Sequence, residues 1–440
     1  MTDASIRPLL RAGPFRRLLV AQAISSLGDW VGTVAFIAAA YELTGSPTAV
    51  GGVLVLRLLP PIVAAPLGGV MADRFDRRAM MIWANLAMAA LIAGVPFVEL
   101  AGLYVIAFVS ESFALLFLPA RDATVPDLVP PTALPAANGL IMGSSYGAIP
   151  VAAALFSGLR LLSDKLPGWL PGQAFAAAHP LAIPFFFDAL TFLVAAALVA
   201  GLPAGRGRTQ GPLHIFEGVT EAFRYARRAP GVRGLAAGVG VAMFGGGVLF
   251  ALGIAYVRDT LGGGDTEFGF LVAIWGLGMA LGLSLVQLLV KRGEAYVFQI
   301  AVAMCGAILI AMAFLPFTWL ALVVSLFFGM SFSVAIMLAV TLIQRVTSEE
   351  MRGRLLGGAH MLFRVALAAG AIGMGGGVSA FGTLRFRLFG IGFRFDRNQI
   401  GLLLGGGIIL LGALAAGAVV RARPAEELTS RGGPRGPRRG

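Results

Sequence analysis

Charged side chains set inside apolar runs are the residues of this sequence with the most chemistry to offer. Asp29, Arg57, Glu111 and Arg364 each interrupt an otherwise apolar stretch, and a charge left facing lipid costs about 2.5–3.5 kcal/mol on insertion scales. They are therefore expected to face one another or a shared aqueous cavity. At the rise of a helix, Asp29 lies about 18 Å from Arg17, Glu111 about 14 Å into its run, Arg364 about 15 Å from Arg354 and Arg57 about 12 Å from the far end of its own run, so all four fall near mid-depth. Gln22, Ser26, Asp29 and Thr33 recur at i, i+4, i+7 and i+11, one face of a helix. Such a polar stripe lines a cavity, as candidates Gln22, Ser26, Thr33 and Arg364 would, or it serves a helix contact. Desolvation and a neighbouring arginine act on a carboxyl group in opposite senses, so moving Arg57 relative to Asp29 and Glu111 would load and release a proton. A fixed ion pair of Asp29 with Arg57, tying two helices together, is the other reading of the same residues.

Other chemistries find no residues to carry them. The sequence contains no G-x-x-x-x-G-K-[ST] loop, and the turn Gly262-Gly263-Gly264-Asp265 has no lysine after it, so no phosphate cradle is formed. There is no histidine–carboxylate pair of catalytic type. Three scattered histidines and one cysteine make no metal site; Cys305 reads as a small buried hydrophobe. No cofactor and no metal are expected. His360 shares a face with Arg364, and Asp188, in Phe-Phe-Phe-Asp-Ala-Leu-Thr, reads as a helix-end or packing residue. A polytopic membrane enzyme would place an acid–base cluster at one membrane face, and none is found; a sensor or scaffold is a reading of another class.

These charges must be held by membrane-spanning helices. Of 440 residues 58% are hydrophobic and 13% charged, against roughly 45–50% and about 25% in soluble domains, which excludes an ordinary soluble enzyme. Apolar runs near 17–43, 48–70, 78–98, 102–120, 134–160, 181–202, 233–257, 267–290, 295–315, 318–343, 355–380 and 399–420 are each about the length of a spanning helix. The chain thus reads as an all-α polytopic membrane protein of two six-helix bundles, residues 1–202 and 233–420. A linker at 203–232 carries apolar residues at helical spacing, Leu213, Phe216, Val219, Ala222 and Phe223, as an interfacial amphipathic helix does. The Gly/Pro/Arg-rich tail 421–440 is expected to be disordered. The N-terminal stretch has no small-residue cleavage pattern, so the first apolar run is expected to be a retained span. The pairs Gly143/Gly147, Gly278/Gly282 and Gly373/Gly377 have the spacing of close helix contacts.

The net charge of +12 rests on 34 basic residues lying mostly in short segments between apolar runs. That distribution is not the single basic face of a nucleic-acid binder. Twenty-five basic residues fall on the side of the termini and seven on the other, with Arg57 and Arg364 inside spans; the bias places both termini in the cytoplasm of a bacterial-type inner membrane. The arginines at 385–397 run against it.

One loop is the most specific signal. Gly69-Val-Met-Ala-Asp73-Arg74-Phe-Asp76-Arg77-Arg78, after the second of twelve spans, resembles the signature loop of the major facilitator superfamily. Phe117-Leu-Pro-Ala-Arg121-Asp122-Ala-Thr-Val-Pro-Asp127, Gln344-Arg345-Val-Thr-Ser-Glu-Glu-Met-Arg352-Gly353-Arg354, Tyr256-Val-Arg258-Asp259 and Phe268-Gly269 are similar to its drug-exporter branch, which holds enterobactin exporters, macrolide efflux proteins and lysophospholipid transporters. The resemblance implies two six-helix bundles rocking about a central cavity. It also implies proton-coupled export of an amphipathic small molecule, with protons and membrane lipids as the other partners, no nucleic acid, and a monomer. A lysophospholipid mover without obligatory proton coupling is the alternative. By the family's pattern Gly69, Asp73, Arg74, Arg77 and Arg78 form a gate on the cytoplasmic side. There Asp73 meets the Gly353, Arg354 and Leu355 region, where helix N-terminal N–H groups favour an anion, and Arg77 meets Asp122 or Asp127.

Overall fold

The computed structural model describes residues 9, 13–167, 169, 171–203, 230–345, 349–379, 383–388 and 391–421; side chains are described for these except at 61–70, 72–74, 135, 146, 230–234, 287, 343–360, 379, 384–388, 391–394 and 417–421. The expected linker helix and tail lie outside the described residues.

Each long apolar run is a helix, because a backbone in hydrocarbon must satisfy its own N–H and C=O groups. The first half contains α1 (Gly13–Thr44), α2 (Pro47–Arg74), α3 (Arg77–Gly94), α4 (Leu100–Leu128), α5 (Leu134–Tyr146), α6 (Ala148–Asp164), the short α7 (Gln173–Ala178) and α8 (Ala182–Ala200). The second contains α9 (Pro230–Ala255), α10 (Asp265–Leu289), α11 (Glu294–Met312), α12 (Thr318–Arg345), α13 (Glu349–Ser379) and α14 (Arg397–Arg421). Helices α5 and α6 together form one crossing, interrupted at Gly147, whose N–H bonds back to Gly143 O at 2.8 Å; Pro150, which has no amide proton to give, follows within the first turn of α6. Eleven crossings among the described residues are long and apolar enough to span a membrane, and the 28-residue α2 makes the twelfth.

Polar residues set the helix ends. Pro47 opens α2 at its first turn, where a missing N–H costs nothing. Asp76 caps α3 by accepting from Ala79 N at 2.8 Å. Glu267 reaches back to Gly264 N at 2.8 Å at the start of α10. Asp396 and Gln399 exchange bonds of 2.9 and 2.8 Å at the start of α14, a reciprocal cap that satisfies two orphan donors.

Within the first half α1 packs on α8, α2 on α4, and α3 on both α4 and α8; within the second α9 packs on α13 and α14, α10 on α12, and α11 on α14. The halves meet where α2 crosses α13 and α6 crosses α10. Glycine permits the tightest approaches. A Cβ on Gly278 or Gly282 of α10 would collide with the Leu326 or Met330 carbonyl oxygens of α12, so this pair is a helix contact as its spacing implies. Gly143 and Gly377 have open space at the Cβ position, and Gly373 meets only the Phe244 ring at 3.5 Å.

Among the described residues, the one departure from an all-α chain is a hairpin of β1 (Leu384–Leu388) and β2 (Ile391–Phe395), antiparallel with Leu384 opposite Phe395 and Leu388 opposite Ile391. It occupies the arginine-bearing loop that ran against the charge bias. Phe395 anchors it, buried and edge-on to Phe314 beyond α11 with ring centroids 5.1 Å apart.

Candidate functional site

Three helices bring three of the four mid-depth charges together. Arg57 of α2 donates to Asp29 of α1 at 2.9 Å and stands 3.6 Å from Glu111 of α4. Its guanidinium also lies over the Phe36 ring, 5.2 Å from the centroid, where the ring's negative face attracts a cation. The Arg57 side chain is 12% exposed and Glu111 23%, whereas Asp29 is 50% exposed. One arginine thus serves two carboxylates, one of them open to water. Arg364 on α13 is exposed and close enough for its charge to act on Glu111, so the second half contributes to the field at the site.

The polar stripe of α1 divides between two tasks. Thr33 bonds its own helix at Asp29 O, 2.8 Å. Gln22 and Ser26, expected as cavity candidates, are buried in a helix contact: Gln22 donates to Ser26 at 2.7 Å and to Ser145 of α5 at 3.1 Å, and accepts from Arg121 of α4 at 2.7 Å. Trp30 adds a bond from its ring N–H to Ser145 O at 3.1 Å. The reason is geometric: α5 lies against that turn of α1, so the stripe meets a helix there before it reaches a cavity.

At the face of the termini, Arg77 bonds Asp127 at 3.1 Å and Ala123 O at 2.7 Å below α4. Of the two expected acceptors it is Asp127 that receives it; Asp122 pairs with Arg121 at 2.7 Å instead. Arg78 holds Leu202 O at 3.2 Å, and Arg17 holds Gly201 O at 2.8 Å, so this loop is tied to the end of α8. The side chains of Gly69, Asp73, Arg74, Gly353 and Arg354 lie outside those described, and with them the expected Asp73 contact.

The opposite face holds a polar network that sequence reasoning missed. Asp265, at the start of α10 and 1% exposed, accepts from Arg258 (Nε at 2.8 Å, with a second, shorter bond from Nη2) and from Arg160 of α6 at 3.3 Å. Arg160 also bonds Asp164. Beside it Tyr41 of α1 donates to Asp259, which pairs with Arg397 at 3.2 Å, and Arg258 lies 5.7 Å from the Tyr41 ring centre. Thr260 donates to Asp396 at 2.6 Å. Ser157 of α6 donates to Thr266 O at 2.9 Å, and a Cβ on Gly51 would stand 2.9 Å from Ala371 O and one on Gly375 3.1 Å from Pro47 O, so α2 and α13 approach closely there. Of these, the Arg160–Asp265, Tyr41–Asp259 and Ser157–Thr266 bonds cross between the halves. The available signal was the acidic residue next to each off-side arginine: Arg160, Arg258 and Arg397, three of the seven basic residues against the charge bias, are each neutralised by Asp164, Asp265 or Asp259.

In the second half an apolar cavity of about 40 Å³ lies among α9 to α14. Phe250, Trp275, Cys305, Phe328 and Phe332 line it, with Trp275 edge-on to Phe250 and 5.7 Å from Phe332.

Comparison with known proteins places this architecture. The family model described as Major Facilitator Superfamily matches residues 18–371. The "Uncharacterized MFS-type transporter YfiS" of Bacillus subtilis is 31% identical over 188 residues, 42% of this chain and 41% of that protein. The "Uncharacterized MFS-type transporter Rv0037c" of Mycobacterium tuberculosis is 29% identical over 189 residues, 41% of this chain and 39% of that protein; the match thus spans about two fifths of the length of these curated relatives. Among solved structures, a bacterial homolog of the human lysosomal transporter Spinster, in an inward-facing and occupied conformation, superposes with a TM-score of 0.72 at 12% identity over 93% of this chain and 96% of that one. The nucleoside transporter NupG gives 0.69 at 13% identity over 93% and 99%.

Proposed function

The chain belongs to the major facilitator superfamily, and on that premise we propose that it is a secondary active transporter exporting an amphipathic small molecule against proton entry, by alternating access between its two six-helix halves. The observation that carries this reading is Arg57 held between Asp29 and Glu111 at 2.9 and 3.6 Å. A single cation shared by two carboxylates, one open to water and one enclosed, makes the protonation of either depend on where the arginine sits. The apolar cavity lined by Phe250, Trp275 and Phe332 supports a substrate with an apolar part. Its polar part would meet the charged first half.

The charge bias of 25 basic residues against seven supports termini in the cytoplasm of a bacterial-type inner membrane. In that orientation the Asp265 and Asp259 network is an external gate in its closed position. The signature loop is the matching gate on the inner side: Arg77 with Asp127 fixes its frame, and Asp73 meets Gly353 and Arg354 when the inner side shuts. The protein works as a monomer within the lipid.

Purified protein in proteoliposomes with an internal pH dye, given ethidium as the amphipathic probe, tests the reading. Ethidium-dependent pH change in the wild type, lost in Asp29→Asn and in Glu111→Gln, is the expected result. Ethidium movement indifferent to the pH gradient refutes antiport and favours the lipid-moving alternative.

A further inference from the structure

Asp188 stands apart from the other described acidic residues of the membrane region. It lies on α8, is 1% exposed, and its Oδ1 has no hydrogen-bond partner. It is seated against one turn of α1, where two glycines make room. A Cβ on Gly28 would stand 2.7 Å from Asp188 Oδ1 and collide with Thr191 Oγ1; one on Gly32 would collide with Asp188 Oδ2 and stand 3.0 Å from its Cγ. Thr191 does not serve the carboxyl group, since its hydroxyl is donated to the Asp188 backbone carbonyl at 2.7 Å. The turn bearing these glycines also bears Asp29.

The charges that act on Asp188 are those of Asp29 and Arg57. Other elements packed against α8 supply none at its level. On α1, Arg17 is bound at the far end of α8 to Gly201 O, and Glu42 lies in the last turn near Thr44. On α3, Arg77 and Arg78 are held at Asp127 and Leu202. On α6, Arg160 and Asp164 belong to the Asp265 network, and the Val95–Phe97 turn has no titratable group. The site therefore contains three carboxyl groups, Asp29, Glu111 and Asp188, about one arginine, with Arg364 beyond Glu111. Asp29 has both the direct Arg57 bond and water; Glu111 has Arg57 at 3.6 Å. Asp188 is enclosed and its Oδ1 has no hydrogen-bond partner, and burial without a donor disfavours the charged carboxylate. A sodium ion would need more oxygen ligands than the Gly28/Gly32 cradle offers, so a proton is the cation that fits.

We propose that Asp188 is a proton-binding residue of the transport cycle, carrying its proton while the face opposite the termini is closed and passing it to the Asp29/Arg57 pair when α1 moves. The inference rests on the antiport reading for its place in the cycle, but proton binding by Asp188 is tested apart from it. Infrared difference spectra of the full chain in lipid, recorded across a pH titration in sodium-free and sodium-containing buffer, read protonated carboxyl groups directly. A protonated-carboxyl band is expected in the wild type, in Asp29→Asn and in Glu111→Gln, and is lost in Asp188→Asn. Gly32→Ala, which displaces the carboxyl group from its cradle without removing it, should shift that band and its titration midpoint. Ethidium-dependent pH change in proteoliposomes should fall to background in Asp188→Asn. A band that persists in Asp188→Asn overturns the proposal, as does its removal by sodium at constant pH. If the wild type shows the Asp188 band but no ethidium-dependent pH change, the antiport reading fails and the assignment of the proton to Asp188 stands.

Discussion

Replacing Asp265 by asparagine should open the face opposite the termini. Asp265 is almost fully enclosed and receives Arg258 at 2.8 Å and Arg160 at 3.3 Å, so it joins α6 of one half to the segment between α9 and α10 of the other. Removing one partner of a buried pair costs about 3–5 kcal/mol when the remaining charge is stranded. Here the cost is smaller, because Arg160 keeps Asp164 and both arginines retain some exposure to water. The cost falls on the closed state alone, since separation of the halves hydrates both arginines. A net bias of about 2 kcal/mol against closure corresponds to nearly thirtyfold in the closed-to-open ratio at about 1.4 kcal/mol per decade. The assay is a distance measurement by pulsed electron resonance between spin labels at Leu43 and Phe317, both exposed and on opposite halves, with Cys305 replaced by alanine. The Asp265→Asn distribution should gain a long-distance population absent from the parent, and Asp265→Glu should restore most of the short one. An unchanged distribution in a folded Asp265→Asn protein would refute the idea that this network is a gate, and would reduce it to a local helix-end contact.

Two further outcomes follow from the packing. Arg57→Gln leaves Asp29 and Glu111 without their shared cation; because Asp29 is half exposed and Glu111 partly so, the loss of stability should be about 1–3 kcal/mol, below the full buried-pair cost, and thermal unfolding in detergent reads it, with Glu111→Gln in the same chain partly restoring it. Gly329→Ala places a Cβ against the Trp275 carbonyl oxygen between α12 and α10, an overpacking that costs about 1–3 kcal/mol. A melting temperature equal to that of the parent would show that these helices have slack the structure does not contain.

The helices were legible because their signal is local. Twelve apolar runs of spanning length, closed by Pro47, Asp76, Glu267 and Asp396, need no long-range information to form helices in lipid. The clustering of Asp29, Arg57 and Glu111 was legible as a requirement, since a mid-depth charge must find a partner. Their pairing order was not: that Arg57 bonds Asp29 and only approaches Glu111 depends on the rotation of α2 between α1 and α4. Gln22 and Ser26 look the same in sequence as Asp29 and Thr33, and only the position of α5 against α1 turns them into a helix contact.

Asp188 and Asp265 mark the division most clearly. As sequence, Asp188 sits in an aromatic run at a helix start and Asp265 follows a glycine turn, and neither spacing distinguishes a cap from a working carboxyl group. The sequence by itself determined the membrane-spanning helices, the number of crossings and the family, because hydropathy and loop motifs are properties of contiguous residues. Which acids are paired, which carboxyl oxygen is left without a partner over Gly28 and Gly32, and which arginines converge on Asp265 were decided only by tertiary structure, because each depends on helices far apart in the chain meeting at a set rotation and depth.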